Sequence, residues 1–144
     1  MKKRILGGIV VFGALAIAIW VTLIKDPSHA DMVAGDGGHA MVAVTLPDAF
    51  TPQEQLGAQA FEENCAACHG ANASGRDGMG PPLVHVIYEP SHHGDRSFHL
   101  AAMNGVRAHH WTFGNMPAVE GPTTSDVETI VAYVRALQRA NGIN

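Results

Sequence analysis

Two cysteines stand three residues apart in Cys65-Ala66-Ala67-Cys68-His69, and they are the only thiols in the 144-residue chain. Two thiols and an imidazole in that order are the attachment signature of a c-type haem. Chemistry explains the spacing. At the end of a helix the two sulfurs can form thioethers to the two vinyl groups of one porphyrin, and the next residue projects His69 at the iron. Two other readings share the Cys-x-x-Cys element. A structural zinc site takes four ligands, often through a second Cys/His pair, and there is no further cysteine. A thioredoxin-like dithiol follows a strand within a βαβ pattern, whereas the approach to Cys65 is helical. The motif implies one covalently bound haem c, with Cys65 and Cys68 as its anchors and His69 as an iron ligand.

Lys2-Lys3-Arg4 precede an almost purely apolar run from Ile5 to Ile24. As a helix this run would be about 30 Å long, the thickness of a bilayer's hydrocarbon core. Residues 1–24 are expected to be a membrane anchor, and the basic flank argues for a cytoplasmic N-terminus. In a bacterium the rest of the chain would lie on the periplasmic side of the inner membrane, where haem is attached. Ser28-His29-Ala30 has the small-x-small form of a signal-peptidase site. The apolar run is longer than the ~7–15 residues usual in a cleaved signal, so a retained anchor is favoured over cleavage near Ala30. Residues 25–50, with Pro27, Gly35-Asp36-Gly37-Gly38 and scattered Asp, have the composition of a flexible tether. Its His29, His39, Met32 and Met41 could hold a soft or borderline metal, although such side chains are more often simply solvated.

The folded part is expected over residues 51–144, enough for one small domain. Thr51 as N-cap, Pro52 at the first helical position and Glu54 three after the cap start a helix that runs through Leu56, Ala60 and Phe61 to the cysteines. Ser125 and Glu128 repeat the capping pattern before a C-terminal helix, with Val127, Ile130, Val131, Val134 and Leu137 on one face, ending near Gly142. A middle helix is expected from about Arg96, capped by Asp95, to Val106, with Phe98, Ala102 and Val106 in one stripe. The apolar stretch Leu83 to Tyr88 is short, broken by His85 and flanked by prolines, which argues against a strand. The fold class is all-α, without internal repeats.

From Thr51 to Asn144 the residues resemble the class I cytochromes c. Gly57 and Phe61 fall where that family's N-terminal helix carries a small residue and an aromatic, and Tyr133 sits in an Ala-Tyr-Val segment of the last helix. The resemblance implies that these two helices cross closely at the small residue. Gly80-Pro81-Pro82-Leu83 resembles the family's Gly-Pro-x-Leu turn. It implies that the Pro81 carbonyl accepts a hydrogen bond from the histidine nitrogen facing away from the iron, fixing the ring and its tautomer.

The second iron ligand has several candidates. Met79 is close to His69 in sequence, Met103 sits in the expected middle helix where a methionine is usually a flexible core filler, and Met32 and Met41 are in the tether. Met116, in Gly114-Asn115-Met116-Pro117, has the best context: a non-helical loop stiffened by a proline, similar to the family's axial-methionine loop. The adjacent pairs His92-His93 and His109-His110 compete, and an imidazole there would give a bis-His haem of lower potential. Copper held by these pairs is a third reading, without a cysteine or regular spacing to help it.

With both axial positions filled, the iron suits outer-sphere electron transfer. The expected function is that of a membrane-tethered carrier of single electrons between redox proteins, not an enzyme. A fixed subunit of an oxidase or dehydrogenase complex is the nearest alternative. An enzyme would need Met116 off the iron, an open sixth position and the His pairs as acid–base groups. After residue 50 there are five arginines, no lysine and nine carboxylates, net −4. That balance gives no support for nucleic-acid binding and departs from lysine-ringed cytochromes, so partners with a neutral or basic docking face are expected. Arg76, Arg96, Arg107 and the Trp111 indole could pair with haem propionates, Trp111 foremost because a buried indole N–H needs an acceptor.

Overall fold

The computed structural model describes residues 38–144. The expected anchor, 1–24, and the tether up to residue 37 lie outside the described residues. Among the described residues no helix is long and apolar enough to cross a membrane. Among the described residues four α-helices carry the fold: α1 Pro52–Asn64, the single turn α2 Ala66–His69, α3 Asp95–Asn104 and α4 Thr124–Ala140. Short 3-10 turns occupy Ala71–Ala73 and Val86–Tyr88, and the extended pairing among these residues amounts to three isolated bridges.

α1 begins as its sequence demands. The Thr51 N–H donates to the Glu54 carboxylate at 2.8 Å, the Glu54 N–H donates to the Thr51 hydroxyl at 3.3 Å, and Pro52 fills the first turn. α4 starts two residues earlier than the Ser125/Glu128 pattern suggests. Its cap is Thr123, which exchanges hydrogen bonds with Asp126 at 2.8 and 3.2 Å. An Asp three residues after the cap does the work that the Glu was expected to do. α3 is also displaced. Its N-cap is Gly94, and Asp95 is its first residue, with its carboxylate turned to Arg135. It stops at Asn104 because Gly105 takes φ +73° and sends Val106 into a bridge with Met116.

The core lies where α1 meets α4. Phe61, Val134 and Leu137 are essentially fully buried, with Ile130 and Tyr133 beside them and Phe50 packed on the Tyr133 ring at 5.4 Å. Burying a side chain the size of Phe61 contributes about 1.5–3 kcal/mol. Gly57 stands at the crossing. A Cβ there would run into the Thr129 carbonyl and the Tyr133 Cβ of α4, so the backbones meet with no side chain between them.

Residues 38–50 do not behave as a free tether. The Met41 and Val42 N–H groups both donate to the Ser74 carbonyl at 3.2 and 3.1 Å, and Thr45 exchanges two hydrogen bonds with the Asn141 side chain. Val44 and Phe50 pack on the core. The folded unit therefore takes in this segment as well as the stretch after Thr51.

α4 also buries two polar residues, Arg135 and Gln138. The Arg135 guanidinium donates to the carbonyls of Tyr88 and His93, to Gln138 and to Asp95, all within 2.6–2.8 Å. Gln138 donates to the carbonyls of Leu83 and Tyr88. The irregular 83–93 segment is thus pinned by side chains of a helix.

Two outcomes are expected. Gly57→Ala should lower the unfolding free energy of the haem-loaded protein by about 1–3 kcal/mol through overpacking, although alanine is the better helix former by about 1 kcal/mol; a denaturant titration showing stabilisation would refute the tight crossing. The Asp126 carboxyl is held below its ordinary value of 3.8 by the Thr123 N–H and then its hydroxyl, so its support is present above that pH and is lost as pH falls through the lower folded value. The melting-temperature gap between wild type and Asp126→Asn should be widest near neutral pH and close towards acid. A gap independent of pH would count against the cap.

Candidate functional site

Cys65 closes α1 and opens the next turn. Its N–H donates to the Phe61 carbonyl at 2.8 Å, and its own carbonyl accepts from Cys68 and His69 at 3.1 and 2.9 Å. One turn of helix thereby presents both thiols and the imidazole together. Gly70, at φ +72°, ends the turn where any side chain would meet the Gly75 carbonyl. Gly80 lets the following loop close onto the motif, because a Cβ there would stand 2.6 Å from the Cys68 carbonyl oxygen.

His69 is buried, and its Nδ1 lies 2.9 Å from the Pro81 carbonyl oxygen. A carbonyl can only accept, so the proton sits on Nδ1 and the Nε2 lone pair is left for a ligand. Burial holds the imidazole below its ordinary pKa, against the opposing pull of that hydrogen bond. Burial thus favours the neutral ring, the form that binds a metal.

Burial, followed by the proximity of Cys68, pushes the Cys65 thiol up to about 11. Reactive dithiol pairs work through a depressed thiolate, so this thiol is poorly suited to redox exchange. Among the described residues the one grouping of three or more metal-ligating side chains does not include the cysteines. The zinc reading has no partners there.

Cys65, Cys68, His69 and Pro81 line a cavity of about 570 Å³, inside the ~300–1,000 Å³ range of cofactor sites. Phe61, Leu83, Phe98, Val127 and Ile130 supply an almost wholly apolar wall. Met116 lines it too, on a loop fixed by two backbone hydrogen bonds between Val106 and Met116 at 2.9 and 3.0 Å. Gly105 makes room for that loop, since a side chain there would collide with the Met116 carbonyl. Of the other described methionines, Met79 and Met103 are exposed, Met103 at 66%, and neither they nor Met41 reach the cavity. Met103 is therefore not the core filler its helical position suggested.

Trp111 also lines the cavity, stacked on Phe113 and edge-on to His85. Its indole Nε1 is buried without a hydrogen-bond partner. The nearby Tyr88 phenol, whose ionisation burial disfavours and the indole N–H favours, lies outside hydrogen-bonding geometry. An orphan donor on an apolar cavity is what an acidic substituent of a bound porphyrin would satisfy. Arg76 donates instead to the Ala67 carbonyl at 2.7 Å, and Arg96 and Arg107 are exposed and off the wall. The cavity, thiols, free Nε2, thioether and orphan donor together fit haem c.

The comparisons with known proteins agree. The family profile for cytochrome c matches residues 54–138, more than half of the chain. The chain belongs to the cytochrome c family. One covalently bound haem c is that family's cofactor, and Cys65 and Cys68 are the thiols available for it. Proteins described as the cytochrome c subunit of the cytochrome bc1 complex, from Mycobacterium tuberculosis and Mycobacterium bovis, are 25% identical over 146 residues, covering 94% of this chain and 42% of theirs. The FixP subunit of a cbb3-type cytochrome c oxidase from Bradyrhizobium is 38% identical over 85 residues, 56% of this chain and 26% of its own length. The chain thus spans about two fifths of the mycobacterial relatives and a quarter of FixP. No solved structure gives a significant match.

The histidine pairs, separate in sequence, meet in space. His93, His109 and His110 reach the cavity rim, and the His92 ring lies tilted beside that of His93 at 4.7 Å. Desolvation and then the neighbouring imidazoles hold His110 below its ordinary pKa. Sequence reasoning also missed Arg135 and Gln138; their place in the buried stripe of α4 was the available signal. Trp111→Phe keeps the ring and removes the orphan N–H. The midpoint potential of the haem-loaded protein should fall, because a partial positive charge leaves the site, while its melting temperature shifts little. An unchanged or raised potential would separate the indole from the cofactor.

Proposed function

We propose that the chain is a one-electron carrier, with haem c attached through Cys65 and Cys68 and its iron held by His69 and Met116. One observation carries the reading: His69, its Nδ1 committed to Pro81, shares an apolar cavity with Met116. Haem c supplies a one-electron iron couple. The chain's residues do the rest. His69 and Met116 offer one donor atom each, so that neither oxygen nor a substrate finds an open coordination position. The bridge between Val106 and Met116 holds the thioether in place, and the apolar wall excludes water. Met116 in this role raises the potential relative to a second imidazole.

The chain is proposed to work at the periplasmic face of a bacterial inner membrane, tethered by residues 1–24 with the N-terminus in the cytoplasm. Its relatives are subunits of a bc1 complex and of a cbb3-type oxidase, which supports transfer to or from such a membrane complex and favours a second reading, a fixed subunit of one. Retention of a stoichiometric partner through detergent washing supports the subunit; its loss supports the mobile carrier. Net negative charge after residue 50 fits a neutral or basic docking face and a transfer rate that falls as salt rises.

The test is the optical spectrum of the haem-loaded chain in both oxidation states, before and after Met116→Ala. A low-spin spectrum with the weak far-red sulfur-to-iron band of the ferric state, lost in the variant, is expected. A wild type without the band, or a variant that keeps it, removes Met116 from the iron. In a second test, Cys65→Ser with Cys68→Ser should abolish haem staining on denaturing gels; staining that survives would refute covalent attachment.

A further inference from the structure

Four imidazoles from two loops converge at the rim of the haem cavity. His92 and His93 ride on a turn in which the Glu89 carbonyl accepts both of their backbone N–H groups, at 3.1 and 2.8 Å. His109 and His110 come from the loop closed by the Val106–Met116 bridge and by the Ala108 N–H, which donates to the Asn115 side-chain oxygen at 2.9 Å. Ring centroids stand 4.2 Å apart for His109 and His110, and 5.3 Å apart from His110 to each of His92 and His93. One ring nitrogen from each of His92, His93 and His110 lies within 4.8 Å of the other two. No carboxylate belongs to the group.

Three imidazoles whose nitrogens lie this close, with no carboxylate among them, hold their lone pairs within reach of a single ion. We propose that His92, His93 and His110 form a binding site for one divalent transition ion of the copper–zinc class, with His109, its ring tilted against that of His110, as a fourth imidazole. The donor set selects the ion: imidazoles suit Cu²⁺ and Zn²⁺, whereas calcium, magnesium and manganese prefer oxygen ligands, and soft Cu⁺ prefers sulfur. Ligands at 2.0–2.1 Å in a tetrahedron have nitrogens about 3.3 Å apart, so the three need close by at most about 1.5 Å. His92 and His110 are exposed, and side-chain rotation can supply that movement. His93 is already oriented, because its Nδ1 donates to the Ile87 carbonyl at 2.6 Å and leaves Nε2 as the ligand atom. The Arg135 guanidinium holds the same residue from behind through the His93 carbonyl, at 2.6 Å.

The experiment uses the full haem-loaded chain, stripped of metal with a chelator and titrated with zinc chloride in a calorimeter. One equivalent should bind with micromolar or tighter affinity. The double variant His92→Ala, His110→Ala should weaken binding at least 100-fold, His39→Ala should leave it unchanged, and the haem spectrum should be the same in all three proteins. Added Cu²⁺ should give an electron paramagnetic resonance spectrum split by imidazole nitrogens in the wild type and not in the double variant. Zinc binding that is absent, or that survives in the double variant, overturns the proposal. So does a changed haem spectrum in the double variant, which would assign one of these imidazoles to the iron instead; the Met116 spectrum tests the carrier reading separately.

Discussion

The contact between α1 and α4 at Gly57 sets the position of the whole site. α1 runs directly into Cys65, and α4 contributes Val127 and Ile130 to the cavity wall. The distance between the helices therefore fixes the distance between the thiols and that wall. Because the Gly57 backbone lies against the Thr129 carbonyl, a single methyl group would wedge the layers apart. Phe61, one turn further along α1, then fills the space beside the Tyr133 ring at 5.7 Å. Hydrophobic packing and site geometry are two results of one close approach.

The rest of the site is built from loops, and loops need their carbonyls satisfied when buried. α4 provides that service from its buried face. The Arg135 and Gln138 side chains, besides bonding to each other, donate to the carbonyls of Leu83, Tyr88 and His93. Burying a guanidinium is costly, and the exposed Asp95 carboxylate offsets only part of it. The arrangement makes sense as positioning, since the segment so held carries Leu83, Tyr88 and His93 to the cavity.

What the sequence revealed was local. The Thr51-Pro52-Glu54 start, the turn through Cys65 and His69, and the Gly-Pro-Pro-Leu loop each depend on residues within a few positions of one another. The shifted start of α4 shows the limit of pattern reading, because Asp126 performs the capping task expected of Glu128. Long-range pairings were not legible. Nothing in the spacing told that Thr45 would meet Asn141, that Asp95 would leave its cap for Arg135, or that two histidine pairs 17 residues apart would share one rim. Such contacts are decided by how loops fold back on the helices, which leaves no periodic trace in the chain.

If, as proposed, His69 and Met116 both hold the haem iron, an added ligand would find no open position, and carbon monoxide tests that most directly. The reduced, haem-loaded wild type should then keep its spectrum under carbon monoxide, because the gas would have to displace Met116. Rapid, stoichiometric formation of a carbon monoxide spectrum in the wild type would mean an open sixth position. That result would contradict the account and bring ligand-binding or enzymatic chemistry to the front.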